Sequence, residues 1–334
     1  MSCFGPRTPV ENWPACGVLN KDDTLTKEAA TVQPGEFVQR VMPGMETCYS
    51  LLSTAASLYS KADAVGTRPV ISRTVVDGFE KLTLGPYEYT SYAAYFRRIE
   101  ALGSGLQPHM PAGDNCIIYA GTQLEWMMSA FACWRCGGTV GTVYDTLGED
   151  AARFAINQSR AKVVISDAKL LKPLSKIASD LKYVKLVVTL ADDAADSNAA
   201  AVLKERGIEV KKLSELEAAG LARPMPAQPL KPSDVAVLMY TSGTTGNPKG
   251  VLISHANISA TIGGATTKTS ALGPYLRPGE RFLAYLPLAH IMELVIELAA
   301  LSQGMVIGYG GVRHLVPVSQ YIAPSNPVVS PLLA

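Results

Sequence analysis

The stretch Val235-Ala-Val-Leu-Met-Tyr240-Thr-Ser-Gly-Thr-Thr-Gly-Asn-Pro-Lys249-Gly250-Val-Leu-Ile-Ser254 sets two apolar runs around a loop of glycine and hydroxyl residues. Val235 to Tyr240 is almost wholly apolar, as a central strand covered on both faces requires. Gly243, Gly246 and Gly250 permit backbone conformations that side chains would block, so amide N–H groups can turn inward around an anion. Thr241, Ser242, Thr244 and Thr245 add hydroxyls and Lys249 adds a point charge. Together these are the ingredients for wrapping a polyphosphate. A Walker A loop is excluded, because Pro248 precedes Lys249 and Gly250, not a hydroxyl residue, follows it. The plainer alternative is a glycine-rich hairpin with a solvated lysine. Chance seldom joins so many Gly, Ser and Thr residues and one lysine directly to a buried strand.

Upstream, short apolar strands alternate with helices. Thr90 or Ser91 can cap a helix whose apolar positions Tyr92, Tyr95, Phe96, Ile99 and Leu102 follow the i, i+3, i+4, i+7 spacing, with Gly103 as a left-handed stop. Strands are expected at Asn115–Tyr119, Val140–Tyr144, Lys162–Ser166 and Val184–Thr189, and helices at Glu125–Cys136 and Glu149–Gln158. Such alternation predicts the α/β class: doubly wound, mainly parallel sheets with flanking helices. Residues 1–80 read as an irregular N-terminal extension with one helix-like run, Thr47 to Ala62. Residues 81–223 form a first α/β subdomain, 224–232 a Pro-rich linker, 233–315 a second subdomain carrying the loop, and 316–334 a Pro-rich tail. The acidic, Ala-rich stretch Ala191–Ala200 reads as a solvated connection.

Composition narrows the function. In 334 residues, Lys plus Arg total 30 against 29 for Asp plus Glu, a net charge of +1, so there is no basic excess to neutralise nucleic-acid phosphates. Six cysteines in a chain this long do not make a disulfide scaffold. Cys133-Trp-Arg-Cys136 lies in an apolar helical run without a second metal half-site and reads as two packed core thiols. Gly103-Ser-Gly105 ends in Pro108 where a nicotinamide loop needs glycine. The start Met1-Ser-Cys-Phe-Gly-Pro lacks the pattern of a secretory signal. Phe282 to Gly308, the most apolar stretch, is broken by Pro287, His290, Glu293 and Glu297 and so predicts no membrane span.

A second constellation follows the loop. Phe282 to Pro287 reads as a strand, and Leu288-Ala-His290-Ile-Met-Glu293 as the start of a helix that runs to Gly304. His290 and Glu293, three apart, are expected on one helical face, at the carboxyl end of a strand where open α/β sheets bind ligands. By itself, a lone histidine on an apolar helix is more often a core residue than a catalyst. His255 is expected to start the helix after the loop, and His109 and His314 to lie in loops.

Tyr240–Val251 resembles the AMP-binding signature of the adenylate-forming superfamily. Tyr285-Leu-Pro-Leu-Ala-His-Ile-Met-Glu293 and Val143-Tyr-Asp-Thr-Leu-Gly-Glu-Asp-Ala151 are similar specifically to long-chain acyl-CoA synthetases, and Gly308-Tyr-Gly310 suits their eukaryotic, fungal-like branch. The resemblance spans roughly residues 40 to 315. It implies a two-step ligase: ATP and a long-chain fatty acid give an acyl-adenylate and pyrophosphate, and CoA then forms the thioester. It implies that Thr241, Ser242, Gly243, Thr244, Thr245, Gly246 and Lys249 hold the β- and γ-phosphates. The Thr241 hydroxyl would contribute to Mg²⁺, and His290 would sit beside the acyl-phosphate junction. Placement in the cytoplasm, or peripherally on endoplasmic reticulum, lipid droplet or peroxisome membranes, is likewise implied by resemblance alone.

The sequence also departs from that pattern. The family's Tyr-Gly-x-Thr-Glu adenine loop, its Thr-Gly-Asp ribose contact and the lysine of its C-terminal domain do not occur in these residues. The expectation is an incomplete N-terminal domain of the adenylate-forming fold, whose parent activity is acyl-CoA ligation and which turns over poorly or not at all alone. Apolar surface exposed at an unpaired sheet edge would then lower its solubility.

Overall fold

The computed structural model describes residues 17–20, 23–29, 40–76, 79–190, 196–241, 249–266 and 275–310. Near the start, β1 (Gly17–Asn20) and β2 (Asp23–Ala29) pair antiparallel. Then follow α1 (Cys48–Leu58), β3 (Asp63–Thr67), β4 (Val70–Val76), β5 (Phe79–Leu84), β6 (Glu88–Ser91) and α2 (Tyr92–Leu106). Strict alternation comes next, in β7 (Asn115–Tyr119), α3 (Leu124–Arg135), β8 (Thr139–Val143), α4 (Glu149–Gln158), β9 (Val163–Ser166) and α5 (Leu171–Lys176). It continues through β10 (Leu186–Thr189), α6 (Ser197–Glu205), β11 (Glu209–Lys212) and α7 (Leu213–Ala222). The rest is β12 (Val235–Thr241), β13 (Lys249–Ser254), α8 (His255–Thr266), β14 (Arg281–Ala284), α9 (Ile291–Ser302) and β15 (Val306–Tyr309).

The strands form where apolar runs can be covered twice. Ile117 to Tyr119, Val163 to Ile165 and Leu186 to Val188 are buried throughout, which only a strand with helices on both faces allows. They sit in a seven-stranded sheet of order β11-β10-β9-β7-β8-β12-β13, parallel except for β13, which runs antiparallel to β12 at the edge. Alternate residues feed two cores. Cys116, Ile118, Val163 and Val188 face the larger one, shared with α1, α2, α3 and α9, while Ile117, Val164 and Val187 face the core under α4 to α6. The larger core also takes Val65, Ala284 and Ile307 from a second sheet of order β14-β15-β3-β6. Tyr92 stitches the layers, its hydroxyl donating to the Leu301 and Met305 carbonyls at 3.0 and 2.7 Å.

Several expectations change. The doubly wound α/β class stands, but the sheets cut across the division at 81, 223 and 233. β12 pairs with β8, and β3, from the stretch read as irregular, pairs with β15. Composition marks a linker; it does not say which strands find each other across it. Residues 224–232 carry no regular element, yet they are tied down: the Arg135 guanidinium, 2% exposed, donates to the Met225 carbonyl and to Glu100 Oε1 at 2.9 Å. Part of Ala191–Ala200 is helical, because Asp196 caps α6 by accepting the Asn198 and Ala199 amides. The tail 316–334 and His314 lie outside the described residues. Cys133 and Cys136 are free and buried, and burial pushes the Cys136 thiol up to about 12.

Gly103 does not end α2, which runs on to Leu106. The glycines there serve helix packing instead. A Cβ on Gly103 would press on the Arg135 side chain, one on Gly105 would fall onto the Leu216 carbonyl, and one on Gly220 onto the Ala101 carbonyl. α2 and α7 therefore meet backbone to backbone. Helix propensity favours alanine over glycine by about 1 kcal/mol, but forcing a methyl into a packed interface costs about 1–3 kcal/mol. Gly105→Ala and Gly220→Ala are therefore expected to destabilise in urea unfolding. Gly264→Ala in α8, where nothing lies within 4 Å of the new methyl, is expected to stabilise by about 0.5–1 kcal/mol.

Candidate functional site

The carboxyl ends of the parallel strands make one edge, and the residues just past them build the site. β7 leads into Ala120-Gly-Thr-Gln123, β8 into Tyr144-Asp145 and β9 into Asp167. Asp167 accepts the Gly121 amide at 3.1 Å and the Gln123 side-chain amide at 2.6 Å, so one carboxylate organises the turn before α3. Lys169 bridges Asp145 at 3.2 Å and Asp167 at 3.6 Å.

β12 brings the glycine and threonine loop to this edge. Its register pairs Val237 with Val140 and Met239 with Thr142, so Thr241 is the last residue of β12 at that end. The chain returns as β13 with Lys249 opposite Thr241 and Gly250 opposite Tyr240. The loop thus leaves and re-enters on neighbouring strands. Ser242, Gly243, Thr244, Thr245 and Gly246 lie outside the described residues. Lys249 is exposed, and the Tyr240 hydroxyl donates to the Ala155 carbonyl at 3.0 Å, locking β12 to α4. Beside the hairpin a groove of about 620 Å³ is lined by Phe154, Gln158, Tyr240, Lys249 and Leu252.

The second constellation reaches the same edge by hydrogen bonds. β14 ends at Ala284, and the next residues form a turn rather than the strand and helix start expected of them. The Thr122 hydroxyl donates to the Leu286 carbonyl at 2.6 Å and accepts the Leu288 amide at 2.8 Å. The Thr142 hydroxyl donates to the Ala289 carbonyl at 3.2 Å. Thr142 also pairs with Met239, so β8 is the common neighbour of the loop strand and the His290 turn. Sequence reasoning missed Thr122 and Thr142. Their only signal was position, within or just after a strand predicted to end at a ligand-binding edge.

His290 and Glu293 do not share a face. His290 is the N-cap of α9, with extended backbone (φ −104°, ψ 137°) and an exposed ring whose Nδ1 accepts the Met292 amide at 3.2 Å. A residue that caps its own helix must leave the helical conformation, which turns it out of the stripe occupied by Glu293. The cap also sets the neutral tautomer: Nδ1 accepts, so Nε2 carries the hydrogen. Glu293 and Glu297 point inward, 1% and 0% exposed. Burial pushes Glu293 up to about 7 against the pull of the Tyr285 and Leu286 amides. Glu297 is driven well above the carboxylate range by burial and by Glu293, despite the Tyr309 hydroxyl that donates to it at 2.7 Å. His255 opens α8 as expected, buried, its Nδ1 accepting the Cys48 amide at 3.2 Å, and burial lowers it to about 4.

The family model described as AMP-binding enzyme matches residues 63–323. The chain is 37% identical over 295 residues to Long chain acyl-CoA synthetase 8 of Arabidopsis thaliana, covering 86% of this chain and 40% of that protein. It is 31% identical over 302 residues to Long-chain-fatty-acid–CoA ligase 2 of Schizosaccharomyces pombe, covering 85% of this chain and 43% of that protein. The chain thus spans well under half the length of these curated relatives. Among solved structures it is similar to the adenylation domain of a carboxylate reductase from Mycobacterium chelonae, with TM-score 0.67, 20% identity, and coverage of 84% of this chain and 44% of that one. It is also similar to the A domain of a carboxylic acid reductase from Segniliparus rugosus in complex with AMP and a co-purified carboxylic acid, with TM-score 0.66, 20% identity, and coverage of 82% and 46%. At these identities the structural likeness shows the fold. Among the described residues no helix is long and apolar enough to cross a membrane, and no group of three or more His, Cys, Asp or Glu residues is placed to hold a metal.

The buried carboxyls give the fold a pH dependence. Glu293 has a higher pKa folded than unfolded, so its contribution is fully present below about 4.5 and is lost as pH rises to about 7. The loss reaches up to about 3 kcal/mol, at 1.4 kcal/mol per unit. His255, lowered to about 4 from 6.5, acts oppositely and destabilises as pH falls through that window. The difference between wild type and Glu293→Gln isolates the carboxyl. Urea midpoints are expected to show the variant gaining on wild type between about pH 5 and pH 8.

Proposed function

This chain belongs to the AMP-binding enzyme family, and we propose that its activity is ATP-dependent ligation of a long-chain fatty acid to CoA. A carboxylate oxygen attacks the α-phosphorus of ATP and pyrophosphate leaves; the CoA thiolate then attacks the acyl carbon and AMP leaves. Two relatives whose names carry long-chain acyl-CoA synthetase or ligase support the substrate class.

The observation that carries the proposal is convergence. The two ends of the loop, Thr241 and Lys249, and the turn ending at His290 lie at one carboxyl edge, with β12 paired to β8 and the turn bonded to Thr142 of β8. On this reading Ser242, Gly243, Thr244, Thr245 and Gly246 offer amides and hydroxyls to the β- and γ-phosphates, and Lys249 sets a positive charge beside them. The Thr241 hydroxyl is the group that would reach Mg²⁺. When bound, that ion would neutralise phosphate charge. On the same reading His290, whose Nδ1 accepts the Met292 amide, would sit beside the acyl-phosphate junction and acyl entrance. No side chain is asked to become a covalent nucleophile; the chain's task is to orient two anions and offset their repulsion. Peripheral association with endoplasmic reticulum, lipid droplet or peroxisome membranes, or a cytoplasmic location, belongs to the same proposal.

A second reading is binding of ATP or an acyl chain without ligation. Fatty-acid-dependent exchange of pyrophosphate into ATP separates the two. Ligation predicts exchange that falls at least about 100-fold in Lys249→Ala. Saturable ATP binding without exchange selects the second reading, and neither exchange nor binding defeats both.

A further inference from the structure

The far edge of the seven-stranded sheet carries a group of basic residues that the candidate site does not use. β11 is one edge strand and β13 the other, so five strand spacings, about 24 Å, separate β11 from the loop strand β12. Between β11, α7 and the end of α2 lies a cavity of about 210 Å³. Lys211 lines it from β11, His109 from the short helical turn Gln107–His109 after α2, and Arg223 from the C-cap of α7. Pro108, Leu216, Ala219 and Met225 make its apolar wall. Lys211 Nζ stands 3.4 Å from His109 Nε2, across 102 positions of sequence. Burial and that ammonium lower the His109 pKa against a smaller pull from Glu209, so the neutral ring takes Lys211 as its donor.

The other polar groups here are already engaged. Glu209 pairs with Lys211 at 3.1 Å and is half exposed, while Glu215, on the cavity wall, accepts the Lys212 amide at 3.2 Å in the cap of α7. The Ser104 hydroxyl donates to the Glu100 carbonyl at 2.8 Å and accepts the Met225 amide at 3.1 Å. Among the described residues Arg223 has no ion-pair partner. Long basic side chains can cover apolar surface while their heads stay in water, but the Lys211 head is held against a half-buried imidazole instead. We propose that this cavity is a second binding site, for an anion carried on a short apolar body: the head meets Lys211, His109 and Arg223, and the body rests on Leu216, Ala219 and Pro108. Such a head takes charge-assisted hydrogen bonds from the ammonium and the guanidinium. The cavity admits several groups the size of a water, about 30 Å³ each, which suits a short chain and not a long one. The inference stands whether or not the chain ligates fatty acids.

The test follows the ring of His109 in the full 334-residue chain labelled with ¹³C-histidine, its signal identified among the four histidines by His109→Asn. Hexanoate is expected to move that signal saturably and to raise the midpoint of its titration, because an anion in contact favours the charged ring. Lys211→Ala and Arg223→Ala should each weaken hexanoate by about tenfold or more, as loss of a hydrogen bond to a charged group does. Hexanol and inorganic phosphate each offer half of the ligand and should bind at least about tenfold more weakly. Tighter binding of either hexanoate or hexyl phosphate supports the proposal and identifies the head as carboxylate or phosphate. An unmoved His109 in the wild type overturns it without needing any variant to fold. Hexanol or phosphate binding as tightly as hexanoate overturns it too, since the basic groups or the apolar wall would then be idle. Undiminished affinity in the Lys211→Ala, Arg223→Ala double variant has the same force. Movement at His290 with His109 unchanged assigns hexanoate to the candidate site and rejects a second one.

Discussion

A strand buried in a parallel sheet must satisfy its backbone on both sides, and β8 meets that demand with two partners from distant parts of the chain. β7 lies on one side, twenty-odd residues upstream. β12, on the other, returns only after α4 to α7 and their strands have been laid down. Everything at the candidate site follows from that second pairing. It puts the end of β12 at the carboxyl edge, so the loop after Thr241 opens there. It leaves the Thr142 side chain free to take the Ala289 carbonyl, which brings the His290 turn to the same place. Trp134 reinforces the arrangement, its indole donating to the Ala236 carbonyl at 2.9 Å and so fixing α3 to β12. A shift of β12 by one residue would exchange the residues that face its two cores and move the loop mouth together with them.

The two sheets are joined by polar contacts at this edge and by apolar packing below it. Hydroxyls make the edge contacts: Thr122 and Thr142 each bind a main-chain group of the 285–290 turn. Such bonds are worth about 1 kcal/mol apiece and are directional, whereas the core of α1, α2, α3 and α9 supplies bulk cohesion without direction. Cohesion keeps the sheets together; the threonines decide where His290 stands. Glu293 and Glu297, buried in α9 with no ion-pair partner among the described residues, cost stability that apolar side chains would not.

Much of the fold was legible because β and helical periods were strong. The helix Glu149–Gln158 has the predicted ends, and Ile117 to Tyr119 could only be a strand covered twice. What stayed illegible needed three dimensions. Gly103 has the chemistry of a helix stop, yet its neighbour in space is Arg135, and close packing against it explains a glycine there without any stop. His290 looks like the first residue on a helical face, but its ring accepts the Met292 amide, and that single hydrogen bond takes the residue out of the helix. Glu297 was read only as an obstacle to a membrane span, and Glu293 also as a neighbour of His290 on one helical face. Nothing in their spacing says that both would be buried, or that Glu297 would accept the Tyr309 hydroxyl. Nor could local composition show that β12 pairs with β8 across the Pro-rich segment, since that pairing is a property of the sheet.

The way the loop ends bears on how it could hold an anion. Many phosphate loops run straight into a helix, whose N-terminal amides and dipole contribute about half a positive charge. Here the loop runs into β13, and a strand offers no such pole. The helix that reaches this edge, α9, is already capped at its N-terminus by His290 and carries Glu293 in its first turn, so its pole is largely spent within the chain. On the proposed reading, the loop's amides, its four hydroxyls and Lys249 are what would remain to face a polyphosphate, with Lys249 the one full charge in that stretch of sequence. That reading would account for three glycines and a lysine in one short stretch. Without a helix to focus the field, a backbone that binds a polyphosphate would have to curl closely enough for its own N–H groups to do so, and glycine is the residue that allows such curvature at several points in succession.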